Sequence, residues 1–467
     1  MARPGLKVVL ISTYELGRQP FGLASPAAWL GRTGAAVRCL DTAVESPDEE
    51  AIRDADLVAF HVPMHTATRL AIALLPRVRR LNPHAHLCFY GLYAPVNEGH
   101  LRALGAGTIL GGEFEAGLAK LVRRLSGGGN GGQVEPVVSL DRQRFLVPDR
   151  VTLPPLSRYA HLNLGDGQRR TVGYTEASRG CKHLCRHCPI VPVYAGRFRV
   201  VQPDVVLEDI RRQVAAGARH ISFGDPDFWN GIGHAMPLVQ ALHAEHPDLT
   251  YDVTIKIGHL LTHRRHLTTL RDTGCLFVTS AAESVDDRVL ALLDKGHSRR
   301  DFEEVVRLLR ETGLTLHPTF VAFTPWTSLP AYLELLEAVA RLDLVEQVAP
   351  IQLALRLLIP AGSRLLDLPE TLEVLEGFDP VRLSYRWRHP DPRVDRLQEE
   401  VQGFVQRAEA TGTGRREIFE GVWGIAARAA GLGGRCGPAR PPGHACAPNA
   451  DRPSRPPIPY MSESWYC

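Results

Sequence analysis

The feature that most limits the fold of this chain is an alternation of short apolar runs with amphipathic stretches, and it occurs in two series. In the first, "LKVVLIS", "AAVRCL", "DLVAFHV", "AHLCFYG" and "TIL" are separated by helical patterns such as "SPAAWLGRTG", "TRLAIALLPRVRRL" and "EAGLAKLVRRL". Apolar runs without a polar alternation suit strands buried on both faces, and helices between them supply parallel crossovers. Residues 1–125 therefore read as a doubly wound parallel sheet. Its ligand side lies beyond the carboxyl ends of the strands, at "STYELG", "PMHTA", "GLYAP" and "GGEFE". The series stops at "SGGGNGGQ", which has no side chains to pack. Residues 126–170, with the proline-stiffened "VPDRVTLPPLSRY", read as a connector.

The second series runs over residues 171–368. "VGYTEAS", "HISFGD", "YDVTIKI", "LFVTSAAES", "LHPTFVAF" and "QLALRLLIP" are its strands, and several intervening helices stop at Gly. Six such units imply a partial barrel of the TIM type, a (β/α)6 arrangement, because the closed form needs eight. Residues 369–430 are patterned as helix. Residues 431–467, rich in Pro, Gly and Cys, are expected to form a flexible tail without stable structure of its own.

Charge and hydropathy narrow the function classes. With 54 basic and 51 acidic residues the net charge is +3, which gives no electrostatic reason to expect nucleic acid or membrane as a partner. No apolar run reaches the roughly 18 residues of a membrane span. The N-terminal run is too short for a signal peptide. A cytoplasmic chain is expected, in which thiols stay reduced. Of the nine cysteines, Cys39, Cys88 and Cys275 lie among apolar residues and are assigned to cores. The others form two groups, Cys181, Cys185 and Cys188, then Cys436, Cys446 and Cys467.

The first group, in "SRGCKHLCRHCP", is spaced C-x3-C-x2-C directly after the strand "VGYTEAS", at the end where barrels keep their chemistry. Structural zinc takes four ligands, normally as two separated pairs. No matching pair exists in the barrel, although His183 or His187 offers a fourth ligand. A disulfide leaves the third thiol unexplained. Three thiolates on a short loop suit three irons of a [4Fe–4S] cluster, with the fourth iron open to another ligand.

On these residues the chain resembles the radical S-adenosylmethionine (SAM) superfamily. The resemblance implies that Cys181, Cys185 and Cys188 hold the cluster, that SAM chelates the open iron, and that an electron from a donor such as flavodoxin or ferredoxin cleaves the sulfonium. It places His187 near the adenine, and Asp225 or Asp227 of "FGDPDF" at the SAM amino group. Ser280 and Glu283 of "SAAES" fall where the family binds the ribose or methionine part. Arg356, a charge inside an apolar strand, must meet an anion, which the resemblance suggests is the SAM carboxylate; a structural ion pair is the alternative. Lys256 faces the barrel mouth if the strand phase allows.

A doubly wound domain ahead of such a barrel resembles the cobalamin-binding class of that superfamily, and "GGEFEAGLAKLV" matches its entry to the last helix, with Gly112 and Glu113. Domains that ligate cobalt through histidine carry D-x-H-x-x-G after the first strand. Here Ser12, Tyr14 and Gly17 stand in the three places, so the resemblance implies cobalamin without a histidine lower ligand. The ending "PYMSESWYC" resembles the CUAEP/CCAEP-tail radical SAM (seleno)protein family, whose members end in Cys, then selenocysteine or Cys, then Ala-Glu-Pro. That resemblance raises the expectation that a UGA codon follows Cys467. It also assigns Cys467, with Cys436 and Cys446, to substrate handling. The implied function is radical SAM chemistry on a small molecule, with cobalamin, for methyl or other radical transfer. Two alternatives stay open: aminocarboxypropyl transfer to a thiophilic substrate such as trivalent arsenic without cobalamin, and a non-catalytic zinc-bound adaptor.

Overall fold

The computed structural model describes residues 5–127, 134–165, 167–432 and 459–462. The front sheet holds strands β1 (Lys7–Ser12), β2 (Ala36–Asp41), β3 (Leu57–His61), β4 (His86–Tyr90), β5 (Thr108–Gly112) and β6 (Val138–Ser139), in the order β2-β1-β3-β4-β5-β6, all parallel. Past Lys7, β1 is buried throughout, and β3 and β5 are buried along their whole length, as strands covered on both faces must be. Two apolar clusters flank the sheet, one under the helices Phe21–Gly31 and Phe114–Ser126, the other under His65–Leu81. Cys39 and Cys88 sit in the first of these, as the sequence suggested. The connector is not only a connector, because its residues Val138 and Ser139 add the sixth strand.

The second sheet is partly curled. It contains β7 (His161–Asn163) and β8 (Arg169–Thr175); after β8 a short antiparallel hairpin, β9 (Ser178–Gly180) with β10 (Phe198–Val200), flanks the cysteine loop. Then come β11 (His220–Phe223), β12 (Thr250–Thr254), β13 (Cys275–Glu283) and β14 (Thr315–Phe320). Strands β8 and β11 to β14 run parallel, with registers such as Ser222↔Tyr174 and Val278↔Leu316. Local signals set the boundaries. Helix Arg299–Thr312 opens on a capping box between Ser298 and Asp301, and it stops at Gly313, whose φ of 79° suits glycine. Cys275 is buried in this core, also as expected.

Three expectations are corrected. The sixth barrel strand "QLALRLLIP" forms a 3₁₀ turn at Pro350–Leu353 and then single bridges from Arg356 to Phe323 and from Ile359 to Tyr385. Pro350 and Pro360 bracket this run, and proline cannot donate to a ladder. Residues 369–430 are not all helix: β15 (Leu375–Asp379) and β16 (Ser384–Trp387) make an antiparallel pair before the helices Pro392–Ala410 and Arg415–Ala429. The tail is not wholly without structure. Its strand β17 (Tyr460–Met461) pairs with β7, giving the order β14-β13-β12-β11-β8-β7-β17. Met461 packs with Leu162, Val172 and Phe277, and Ser462 exchanges hydrogen bonds with His161. Among the described residues no helix is long and apolar enough to cross a membrane.

Candidate functional site

The cysteine loop leaves the carboxyl edge of the curled sheet and is tied down on every side. Asn230 accepts from the backbone of Lys182 at 3.2 Å and donates to the carbonyl of Gly180. Gly180 itself has a φ of 75°, and a side chain there would collide with Tyr194 and the carbonyl of Arg197. Farther along, the backbone N–H of Arg186 donates to Leu293, and Ser363 donates to the carbonyl of Arg186. Cys185 is buried, and Cys181 and Cys188 are partly so; all three thiols are free. Burial raises Cys181, and it pushes Cys188 up to about 12, with the neighbouring thiols adding to the rise and Lys295 opposing it. The three sulfurs thus share one site, and they need cationic partners to be held as thiolates.

Two lysines are already there. Lys256, just past β12, donates to Cys185 Sγ at 3.6 Å. Lys295, buried, donates to Glu283 Oε1 at 3.3 Å, and against burial the charge of Glu283 first, then those of Cys185 and Cys188, raise its pKa. His187 Nε2 lies 3.1 Å from the same Glu283 oxygen. Burial would raise the Glu283 carboxyl, yet Lys295 and His187 hold it down at about 2. Glu283 ends β13 with a φ of 64°, which a non-glycine residue adopts only under constraint. Lys256 was singled out from the sequence. Lys295 was not, and its only signal is a lysine set against the Gly296 that ends "LLDKG".

The acids of "FGDPDF" are committed to their own chain. Asp225 accepts from the backbone of Ala177 at 2.9 Å and from Ser178 Oγ at 2.5 Å, and burial raises it to about 7. Asp227 Oδ2 lies 2.7 Å from His259 Nδ1 and 3.5 Å from His183 Nε2, while Oδ1 accepts from Trp229 N–H. Burial would raise Asp227, but the two histidines bring it to about 2. Both acids hold the loop in place through these partners. Arg356 makes the ion pair that was the alternative reading. Its anion is Asp395, at 2.7 Å, and its guanidinium stacks 3.5 Å over Trp387. Ser280 differs: its buried hydroxyl has no partner among the described residues, an open hydrogen-bonding group at the strand end.

The front sheet carries a second strand-end cluster. Ser12 Oγ is buried and unpartnered among the described residues, at the crossover between β1 and β3. Tyr14 is half-buried beside it, and Gly17, with a φ of 68°, accepts from the backbone of Ala160. His61, at the end of β3, places Nδ1 2.5 Å from Glu15 and was missed from the sequence. Gly112 has a φ of 69°. Glu113 turns to the cysteine loop, 3.4 Å from Arg179 Nη1 and 3.3 Å from Tyr194 Oη. Cys436, Cys446 and Cys467 lie outside the described residues.

Three thiols stand on a constrained loop that follows β8 and β9. Residues 175–328 match the model described as Radical SAM superfamily. These residues resemble a radical SAM domain. Such a domain marks an enzyme superfamily and implies a [4Fe–4S] cluster and SAM, and the residues present fit them. Three free thiols adjoin two cations, and the Ser280 hydroxyl at β13 is unpartnered among the described residues. Hopanoid C-3 methylase of Methylococcus capsulatus is 25% identical over 326 residues, 66% of this chain and 62% of that one. A tRNA-2-methylthio-N(6)-dimethylallyladenosine synthase of Desulfosudis oleivorans is 25% identical over 205 residues, 40% of this chain and 41% of that one. The chain thus spans less than two thirds of the length of either relative. Among solved structures, the cobalamin-dependent radical SAM enzyme OxsB, with aqua-cobalamin and SAM bound, aligns with a TM-score of 0.64 at 13% identity over 86% of this chain and 67% of that one. The radical SAM methyltransferase TsrM from Kitasatospora setae, with cobalamin and a [4Fe–4S] cluster bound, aligns at 0.56 and 18% identity over 72% of this chain and 70% of that one. These two likenesses concern the fold alone.

Proposed function

We propose that the chain is a radical SAM enzyme that uses cobalamin to transfer a methyl group to a small molecule. The observation that carries this reading is the meeting of Cys181, Cys185 and Cys188 with Lys256 and Lys295 at the mouth of the radical SAM domain. Cysteines 181, 185 and 188 would hold the cluster. When bound, cluster and SAM supply one-electron cleavage of the sulfonium, and cobalamin supplies a methyl carrier. The chain's own residues do the rest. The lysines offset thiolate charge. Ser280 offers a hydroxyl to a ligand's polar group, and Glu283, kept ionised, fixes the ring of His187. Asp225 and Asp227 hold the loop.

Residues 1–125 would house cobalamin, with the orphaned Ser12 hydroxyl as a polar contact and without a histidine after β1. The methylase relative and the fold likeness to OxsB over 86% of this chain support this part. The likeness to the selenocysteine-tail family assigns Cys436, Cys446 and Cys467 to substrate capture, and a low-potential protein to electron delivery. A zinc-bound adaptor has one observation on its side. Donor atoms of Cys181, His183 and Asp227 lie within 4.8 Å of one another. Asp227, however, already receives His259 and Trp229.

The test is anaerobic reconstitution of the full chain with iron and sulfide, with and without cobalamin, then reduction and product analysis. S-adenosylhomocysteine and 5′-deoxyadenosine, the former only with cobalamin, are expected. Methylthioadenosine alone would indicate aminocarboxypropyl transfer. A colourless protein with one zinc and no SAM cleavage overturns the reading.

A further inference from the structure

The cysteine loop is gripped by a residue of the other sheet. Arg179 stands two positions before Cys181, on β9, and is buried with its guanidinium surrounded by carboxylates. Glu115, in the first turn of the helix Phe114–Ser126, meets it as a fork, Nη2 to Oε1 at 2.7 Å and Nη1 to Oε2 at 3.0 Å. Glu176 takes Nε at 2.6 Å, and Glu113 lies 3.4 Å from Nη1. Phe21, Phe114 and Phe145 surround the guanidinium, with its carbon 5.6, 5.2 and 5.1 Å from the ring centres. A bidentate, stacked arginine in a dry site holds one orientation.

Glu113 also accepts from Tyr194 Oη. Tyr194 ends the short helix Val191–Tyr194 that follows Cys188. One carboxylate at the end of β5 therefore holds the chain just before the first cysteine and just after the third. Between Arg179 and Cys181 stands only Gly180, packed against Tyr194 with no room for a side chain. A displacement of Glu113 has no slack to be absorbed in before it reaches the thiols.

We infer that Glu113 and Arg179 form a clasp by which the front sheet positions the cysteine loop, with Glu113 a positioning residue that acts through Arg179 and Tyr194. The inference rests on the reading of the three cysteines as cluster ligands. It makes the ligand edge of the front sheet and the cluster loop one mechanical unit, so that a change at the end of β5 reaches the cluster.

The test uses the full chain, reconstituted anaerobically and reduced, with electron paramagnetic resonance of the cluster as readout. Glu113→Gln and Arg179→Lys are compared with wild type and with Tyr194→Phe. Val401→Ala, buried in the helix Pro392–Ala410 and in none of these contacts, controls for a change in stability alone. Iron content is expected to stay at the wild-type level, because the thiols are intact. The single wild-type signal should divide into at least two species in Glu113→Gln and Arg179→Lys, and iron loss to a chelator should quicken at least threefold. Tyr194→Phe should show a smaller change, and Val401→Ala none. If Arg179→Lys does not fold, the isosteric Glu113→Gln decides alone. Wild-type signals and release rates in Glu113→Gln overturn the clasp and leave the cluster reading standing. A wild-type chain that takes up no iron sinks both.

Discussion

The two sheets present their carboxyl edges in opposite ways. On the front sheet, the edge is largely filled by the chain's own pairs: His61 with Glu15, and Glu113 with Arg179, leaving the Ser12 hydroxyl as the open group. On the curled sheet, the acids are tied inward while three thiols and two lysines remain with chemistry to spare. A parallel sheet offers the same place for a ligand in both cases. What differs is whether the buried polar groups there satisfy one another.

The largest break in this contrast should come from Cys185→Ala. Loss of one of three cluster ligands is expected to abolish SAM cleavage, by about 10³-fold or more against the overall scale of enzymatic acceleration, with the front sheet intact. Iron content, 5′-deoxyadenosine and circular dichroism check it. Gly22→Ala should do the reverse. A methyl at Gly22 would overlap the ring of His61, and overpacking of this kind costs about 1–3 kcal/mol. Urea unfolding should show the loss, with iron content unchanged.

The edges should also respond oppositely to pH. Burial raises Asp41, at the end of β2, to about 7, above its unfolded range. The folded state then binds the extra proton, so this group's contribution falls as pH rises from about 4 to 7 and is lost above it. Asp41→Asn should gain on the order of 2 kcal/mol at pH 8 and flatten that slope. His317 on β14 is driven down to about 4 by burial, with Arg415 adding. Its neutral form is favoured in the fold, so stability present above about pH 6.5 is lost as pH falls toward 4. His317→Gln should remove that acid loss in a pH series of thermal melts. The smallest effect is expected from Met461→Asp, about 1–2 kcal/mol from one lost apolar contact at the sheet edge, measured by urea unfolding.

Strands buried on both faces announced themselves, because Val, Ile, Leu and Phe leave few other places for "LKVVLIS" or "DLVAFHV" to go. The cysteine loop was legible for a related reason: its spacing and its place after a strand are both local. Arg356 shows the limit. An arginine in an apolar run must meet an anion, but whether the anion is a ligand or Asp395, a long way on in the chain, is a tertiary fact. The partners of Asp225 and Asp227 were hidden in the same manner, since Ala177, Ser178, His183 and His259 come from other segments. Arg179, adjoining the motif, carried no local sign of the three glutamates that surround it.

Strand β17 has one more consequence. It is only two residues long and is joined to the rest of the fold through residues 433–458, so its hold on β7 is an intramolecular contact set by effective concentration. At high protein concentration the same two residues of a second copy compete for the same place. Such strand exchange would link chains through β7 and β17 without altering the strand order of either sheet.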